Sequence, residues 1–295
     1  MIPWPALYGA AATHEAPPPA RVTEEVALQR SRSLPGVELW SIRNTTRLWT
    51  VLNSRYTFGV AERLTGSLHW RCAGRTAPIT LASTLLGEPG ELQVATRIDG
   101  PSDIDFLLVD PAVLQREFDR DLGEEERRHR FANARLEDPG LVGQFRRLWR
   151  AMLDPQAETV EQQSLLRAYL HAVFDQAGLR PAPPSNTRCE QALERIRYLI
   201  NERHQERLTL DGFATETGFS KFYLERSFHD RFGLPIHQYL KKVRVARAMD
   251  LLREGQRPSM VAKKVGFADQ PHMTRVFRDE LGLTPRRFWA ATNPG

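Results

Sequence analysis

The feature that most constrains this 295-residue chain is a stretch it carries twice. Residues 218–240 read GFSKFYLERSFHDRFGLPIHQYL, and residues 266–289 read GFADQPHMTRVFRDELGLTPRRFW. In each, a Gly-Phe pair precedes a capping residue, an apolar stripe at helical spacing and a second Gly. In the first copy Leu208, Leu210, Phe213 and Ala214 give a short helix an apolar face, and Thr209 or Asp211 can cap it. Gly218 supplies the positive φ of a tight turn, Phe219 plugs the gap, and Ser220 caps a second helix that buries Leu224 and Phe228. The second copy repeats this with Val261, Ala262 and Val265, then Gly266, Phe267, the cap Asp269, and Met273, Val276, Phe277 and Leu281. It is one residue longer between Gly and the core Phe. Helix, Gly turn, helix is a helix-turn-helix, whose second helix can enter a major groove.

Between the copies, HQYLKKVRVARAMDLLREG has Tyr239, Leu240, Val243, Ala246 and Met249 at helical spacing. About 18 residues of helix span roughly 27 Å, against about 34 Å between successive major grooves on one face of B-DNA. A rod of that length could hold two reading helices in neighbouring grooves. Charge agrees with a polyanion partner. From residue 186 onward there are 20 Lys and Arg against 13 Asp and Glu, and before it 21 against 23. A basic module on a near-neutral remainder is the footprint of nucleic-acid binding.

The paired units, the linker RVARAMDLL and the closing GFADQPHMTRVFRDELGLTPRRF resemble the DNA-binding domain of the AraC/XylS family of bacterial transcription regulators, over roughly residues 189–290. The resemblance implies a cupin-like N-terminal sensing domain, often followed by dimerising helices. The positions matching Phe222, Glu225 and Arg226 touch bases in such proteins. On helical faces opposite the apolar stripes, the base-reading candidates are Lys221, Phe222, Glu225 and Arg226 in the first copy. In the second they are Gln270, His272, Thr274 and Arg275. Arg226 suits guanine, Phe222 a thymine methyl and Gln270 adenine. Pro271 is tolerated in a first turn but cannot bond a base, so the second half-site is expected to be read loosely. Lys241, Lys242, Arg286 and Arg287 are candidate phosphate contacts.

The expected fold class is α+β. Residues 1–33, with Pro17, Pro18 and Pro19, read as a flexible leader. Residues 34–177 read as a cupin-like β-barrel with flanking helices that senses and dimerises. GLRPAPPSNTR, 178–188, is a linker, and 189–295 is an all-α domain with two helix-turn-helix motifs. Strands are expected at VELWSI, YTFGVAERL, SLHWRC and DIDFLLV, and a helix from Pro111. Two helical stripes follow, Leu141 to Met152 and Leu165 to Phe174, packing either on the barrel or on a second copy of the chain. Phe58, Val60, Trp70 and Leu92 are the candidate effector-lining residues, although the same side chains would serve as the core of an empty barrel.

An enzyme is not expected. This half has only His14, His69, His129 and His171, and Gln93 stands where sensing domains of this kind often have a histidine, so a three-ligand metal site is hard to assemble. Nucleophile motifs and phosphate loops are also missing. Cys72 and Cys189 are too few for a disulfide framework, and no apolar run approaches the ~20 residues of a membrane span. The expectation is a cytoplasmic homodimer that binds double-stranded DNA, answers a small-molecule effector, needs no cofactor and acts with RNA polymerase. The alternative is an effector-independent DNA-binding protein whose N-terminal domain only dimerises.

Overall fold

The computed structural model describes residues 23–52, 54–72, 74–118, 129–181 and 187–293. Two antiparallel sheets form the N-terminal half. The larger holds β1 (Glu25–Arg30), β2 (Val37–Thr45), β9 (Ser102–Val109), β4 (Tyr56–Leu64), β7 (Ser83–Gly87) and β11 (Arg135–Glu137), in that order. The smaller holds β3 (Thr50–Leu52), β8 (Leu92–Ile98), β5 (Leu68–Cys72) and β6 (Arg75–Ile79). No ladder among the described residues joins the two, so the expected barrel is an open pair of sheets. The class is α+β, as the sequence reads. A small two-stranded ribbon, β10 (His129–Phe131) with β12 (Leu179–Pro181), is a third ladder, and its Phe131 packs on Tyr56 of β4.

The large sheet is buried on both faces, which is why DIDFLLV reads as a nearly continuous apolar run rather than an alternation. On one face Val37, Leu39, Phe58, Val60, Leu107 and Val109 pack under α1 (Pro111–Phe118), α2 (Pro139–Leu153) and α3 (Thr159–Ala177). Asp138 caps α2, accepting from Gly140 N at 2.7 Å. Both helical stripes are used here. Phe145, Leu148, Leu166, Tyr169 and Val173 join this core, and Tyr169 meets Phe58 edge to face at 5.8 Å. The stripe on α3 therefore lies on the sheet of its own chain and is not left bare for a twin. The other face, with Trp40, Ile42, Ile104, Phe106 and Leu108, turns toward the small sheet and toward the C-terminal helices.

Part of the segment expected as a flexible leader is a strand. Residues 1–22 lie outside the described residues, but Val26 and its neighbours pair with β2 from Glu25↔Arg43 to Arg30↔Glu38. Apolar side chains at Val26 and Leu28 pack on the core and give the segment reason to be a strand.

The described residues from 187 to 293 are helical, with no strand among them. They form α4 (Arg188–Arg203), α5 (Leu210–Thr217), α6 (Lys221–Phe232), α7 (Ile236–Arg253), α8 (Pro258–Lys264), α9 (Gln270–Leu281) and α10 (Pro285–Thr292). Thr187 and Glu190 make a reciprocal capping box on α4. The centre of this half is divided. Leu193, Ile196, Phe213, Leu224, Phe228 and Tyr239 form one core around α4 to α7, joined by Leu52 of β3. Met249, Val261, Phe267, Met273, Phe277 and Phe288 belong to the same core as Trp40, Trp70 and Phe106. The second helix-turn-helix thus shares its interior with the β-sheets.

Candidate nucleic-acid interface

Local sequence sets both reading helices. Thr209, rather than Asp211, caps α5, accepting from Gly212 N at 3.1 Å. Gly218 and Gly266 turn the chain at φ 74° and 86°. At Gly266 a Cβ would lie 2.7 Å from the His204 carbonyl oxygen, so no larger residue fits the turn. Ser220 caps α6 through Tyr223 N at 3.3 Å, and Asp269 caps α9 through His272 N at 2.7 Å. Between them α7 runs 18 residues without a break.

On α6 the outer face is open. Phe222 is 79% exposed, a large apolar side chain held in water with nothing covering it. Lys221 pairs with Asp211 at 2.7 Å. Arg226 extends outward beside Asp230, 3.9 Å away, too far for a tight ion pair to hold its guanidinium. Glu225 lies 3.9 Å from His237 and is only 30% exposed, which ties it to the start of α7. His229 is exposed one turn below Glu225.

On α9 the open surface is a shallow concavity lined by Gln270, Pro271, Thr274, Arg275 and Arg278. Arg278 was missed in the sequence. It is four residues after Thr274 and three after Arg275, so helical spacing alone places it on the same stripe. His272 is drawn inward, its ring edge-on to Phe267 at 5.3 Å. The far end of α9 is clasped from the loop between β2 and β3 and from α7. Arg47 donates to the Asp279 carbonyl at 3.1 Å, and Glu280 meets both Lys241 and Lys242.

Those two lysines differ from their sequence reading. Lys242 is buried, donates to the Thr50 carbonyl at 2.6 Å and is engaged by Glu280. Burial lowers its pKa, and Glu280 offsets part of that. Its charge is spent joining α7, α9 and β3, so it is withdrawn from any phosphate. Lys241 keeps 43% exposure, 3.0 Å from the other Glu280 oxygen. Arg286 and Arg287 stand exposed on the first turn of α10, beside its cap Thr284.

Against known proteins, a family model described as a helix-turn-helix domain matches residues 213–291. The transcriptional regulator YbfI of Bacillus subtilis, itself described as uncharacterized, is 32% identical over 111 residues, 38% of each chain. The regulatory protein SoxS of Salmonella typhimurium is 31% identical over 100 residues, 34% of this chain and 94% of SoxS. The chain belongs to the AraC/XylS family. For an AraC/XylS member the matched region is nearly a whole relative in the case of SoxS, whereas it spans little over a third of YbfI. The fold beyond it has a counterpart too. ToxT of Vibrio cholerae, in its unsaturated fatty acid-bound structure, superposes with TM-score 0.51 at 11% identity, over 86% of this chain and 94% of ToxT.

The effector-lining candidates divide as the sheet faces divide. Trp70 lines an apolar cavity between the sheets. Phe58 and Val60 point to the opposite face, under α3, and Leu92 packs toward the core around α4 and α6. Period-2 alternation shows which residues share a face but not which face is hollow. Among the described residues no cluster of three or more His, Cys, Asp or Glu stands ready to hold a metal.

Proposed function

We infer that this chain is a sequence-specific DNA-binding regulator of transcription in which α6 and α9 read two successive major grooves on one face of the duplex. The observation that carries it is the pair of capped helices with open polar faces, joined by one continuous helix of 18 residues, or roughly 27 Å. Arg226 and Phe222 supply base contacts from α6, and Gln270, Thr274, Arg275 and Arg278 from α9. Lys241, Arg286 and Arg287 supply phosphate contacts. Footprinting on sites selected from random DNA tests this. Two protected grooves about one helical turn apart are expected, with affinity falling steeply as salt rises. Protection of a single groove overturns it.

The N-terminal half is read as the sensor. Support comes from the apolar cavity between its sheets, two walls of which belong to α7 and α9. The fatty acid in the ToxT structure is a property of ToxT, and it makes a sensing role for the same fold a reasonable expectation here. A homodimer built on α2 and α3 would use their outer faces, since their apolar stripes are occupied. The competing reading, a constitutive DNA-binding protein, predicts that no small molecule changes operator affinity.

A further inference from the structure

Three tryptophans, Trp40, Trp49 and Trp70, stand around the cavity between the sheets, with Phe106 beside them and Met249 and Leu281 closing it from α7 and α9. Among the described residues no ionisable side chain lines it, its polar residues are Thr57, Gln93 and the three tryptophans, and its walls are almost wholly apolar. Two of those indoles are satisfied. Trp40 donates to Glu38 at 3.2 Å and Trp49 to the Thr45 hydroxyl at 2.9 Å. The third, Trp70, is 3% exposed, and its N–H has no partner among the described residues. Gln93 is already turned to Thr57, donating at 3.2 Å. A buried donor without a partner is costly, and here it belongs to a residue on the wall of the cavity.

We propose that the cavity takes a neutral, single-ring-sized apolar molecule with one hydrogen-bond acceptor, which accepts from Trp70 Nε1. The proposal rests on the sensor reading above and gives it a ligand class. Charge is excluded by the lining, since a carboxylate or ammonium there would lose its hydration with no counter-ion to replace it. Size bears on the response. The cavity measures about 60 Å³, whereas apolar cavities that admit a benzene ring are about 150 Å³. A ring must therefore enlarge the space, and the same movement must uncover Trp70 Nε1, which the closed cavity hardly exposes. The most adaptable wall is the thioether of Met249, and with Leu281 it is the part contributed by the DNA-binding helices. Filling the cavity presses on α7 and α9 and needs no relay between sensor and reader.

The test is calorimetric titration of the full chain with three probes of one shape: acetophenone, ethylbenzene and benzoate. Acetophenone binds and benzoate does not. In Trp70→Phe the ratio of dissociation constants shifts about fivefold in favour of ethylbenzene, because only the carbonyl loses a donor. Met249→Ala tightens binding of both neutral probes severalfold by making the space in advance. Benzoate binding as well as acetophenone, or an unchanged ratio in Trp70→Phe, overturns the ligand class and leaves the sensor reading standing. Weaker binding of ethylbenzene to Met249→Ala overturns the enlargement. No binding of any probe to wild type or to Met249→Ala overturns both the class and the cavity as the sensing site.

Discussion

The two helix-turn-helix units share their caps, their glycine turns and their buried phenylalanines, yet they have different fates. The first is backed by α4 and presents Phe222 and Arg226 to water. The second is backed by the β-sheets, shares one core with Trp40 and Phe106, and is clasped at its end by Arg47 and Lys242. The repeated local sequence makes the motif. What covers its back decides whether the motif packs only on helices or is tied to the sheets. In this chain the second copy is the tied one.

The largest effect that would break this contrast concerns Arg253. It bonds Glu38 at 2.7 Å, and both side chains are almost fully buried at the junction of α7 and β2. Arg253→Ala leaves the buried Glu38 carboxylate with only Arg55, 3.9 Å away, and the Trp40 N–H, an expected loss toward the lower end of about 3–5 kcal/mol. Limited proteolysis should then open α8–α9 before α5–α6, and a wild-type urea midpoint would break the contrast. Phe277→Ala and Phe228→Ala should each cost about 3–5 kcal/mol. Only the first should also change the near-ultraviolet circular dichroism of the sheet tryptophans, since Phe277 shares their core. Equal spectral change in both variants would mean that the two cores act as one.

Acid sharpens the same point. Burial would raise the pKa of Glu38, but Arg253 and Arg55 outweigh it and hold the carboxylate below its ordinary value. A depressed folded pKa contributes stability above the unfolded value of about 4.3 and loses it as pH falls through the folded value. Asp105 has the opposite sign: burial raises its pKa, so protonation favours the folded form. Wild type should therefore lose more stability than Glu38→Gln between about pH 5 and pH 3, followed by denaturant titration. Parallel curves would remove the pair from the junction's energetics.

At the readers, Arg226→Ala should relax specificity at one base pair, by about 1–3 kcal/mol of discrimination. Arg275→Ala should do the same at a site one turn away, and less sharply where Pro271 offers no bond. Binding isotherms on a panel of altered sites would measure both, and an equal loss on every sequence would make either arginine a phosphate contact. The smallest effect is expected for Arg287→Ala: slightly weaker binding to all DNA and a salt slope reduced by about one.

The C-terminal half was legible because its information is local. Ser220, Asp269, Gly218 and Gly266 each act within four residues, and helical spacing places Arg226 and Arg275 outward. The N-terminal half was legible only as to class. Phe58 and Trp70 look equivalent in sequence, and only tertiary pairing sends one under α3 and the other into the cavity. Lys242 was unreadable for the same reason. A lysine beside a lysine on a basic helix looks like a phosphate contact until Glu280 and the Thr50 carbonyl are brought to it from 38 and 192 residues away.

Because Met249 and Leu281 close the hollow from late in the chain, a ribosome finishes both sheets well before it makes the lid. At about 5–20 residues per second, the tryptophan-lined interior stands open to the cytosol for on the order of ten seconds. Newly made copies are thus at their stickiest while still tethered, and slow translation through residues 240–281 should raise the fraction that is lost to aggregation.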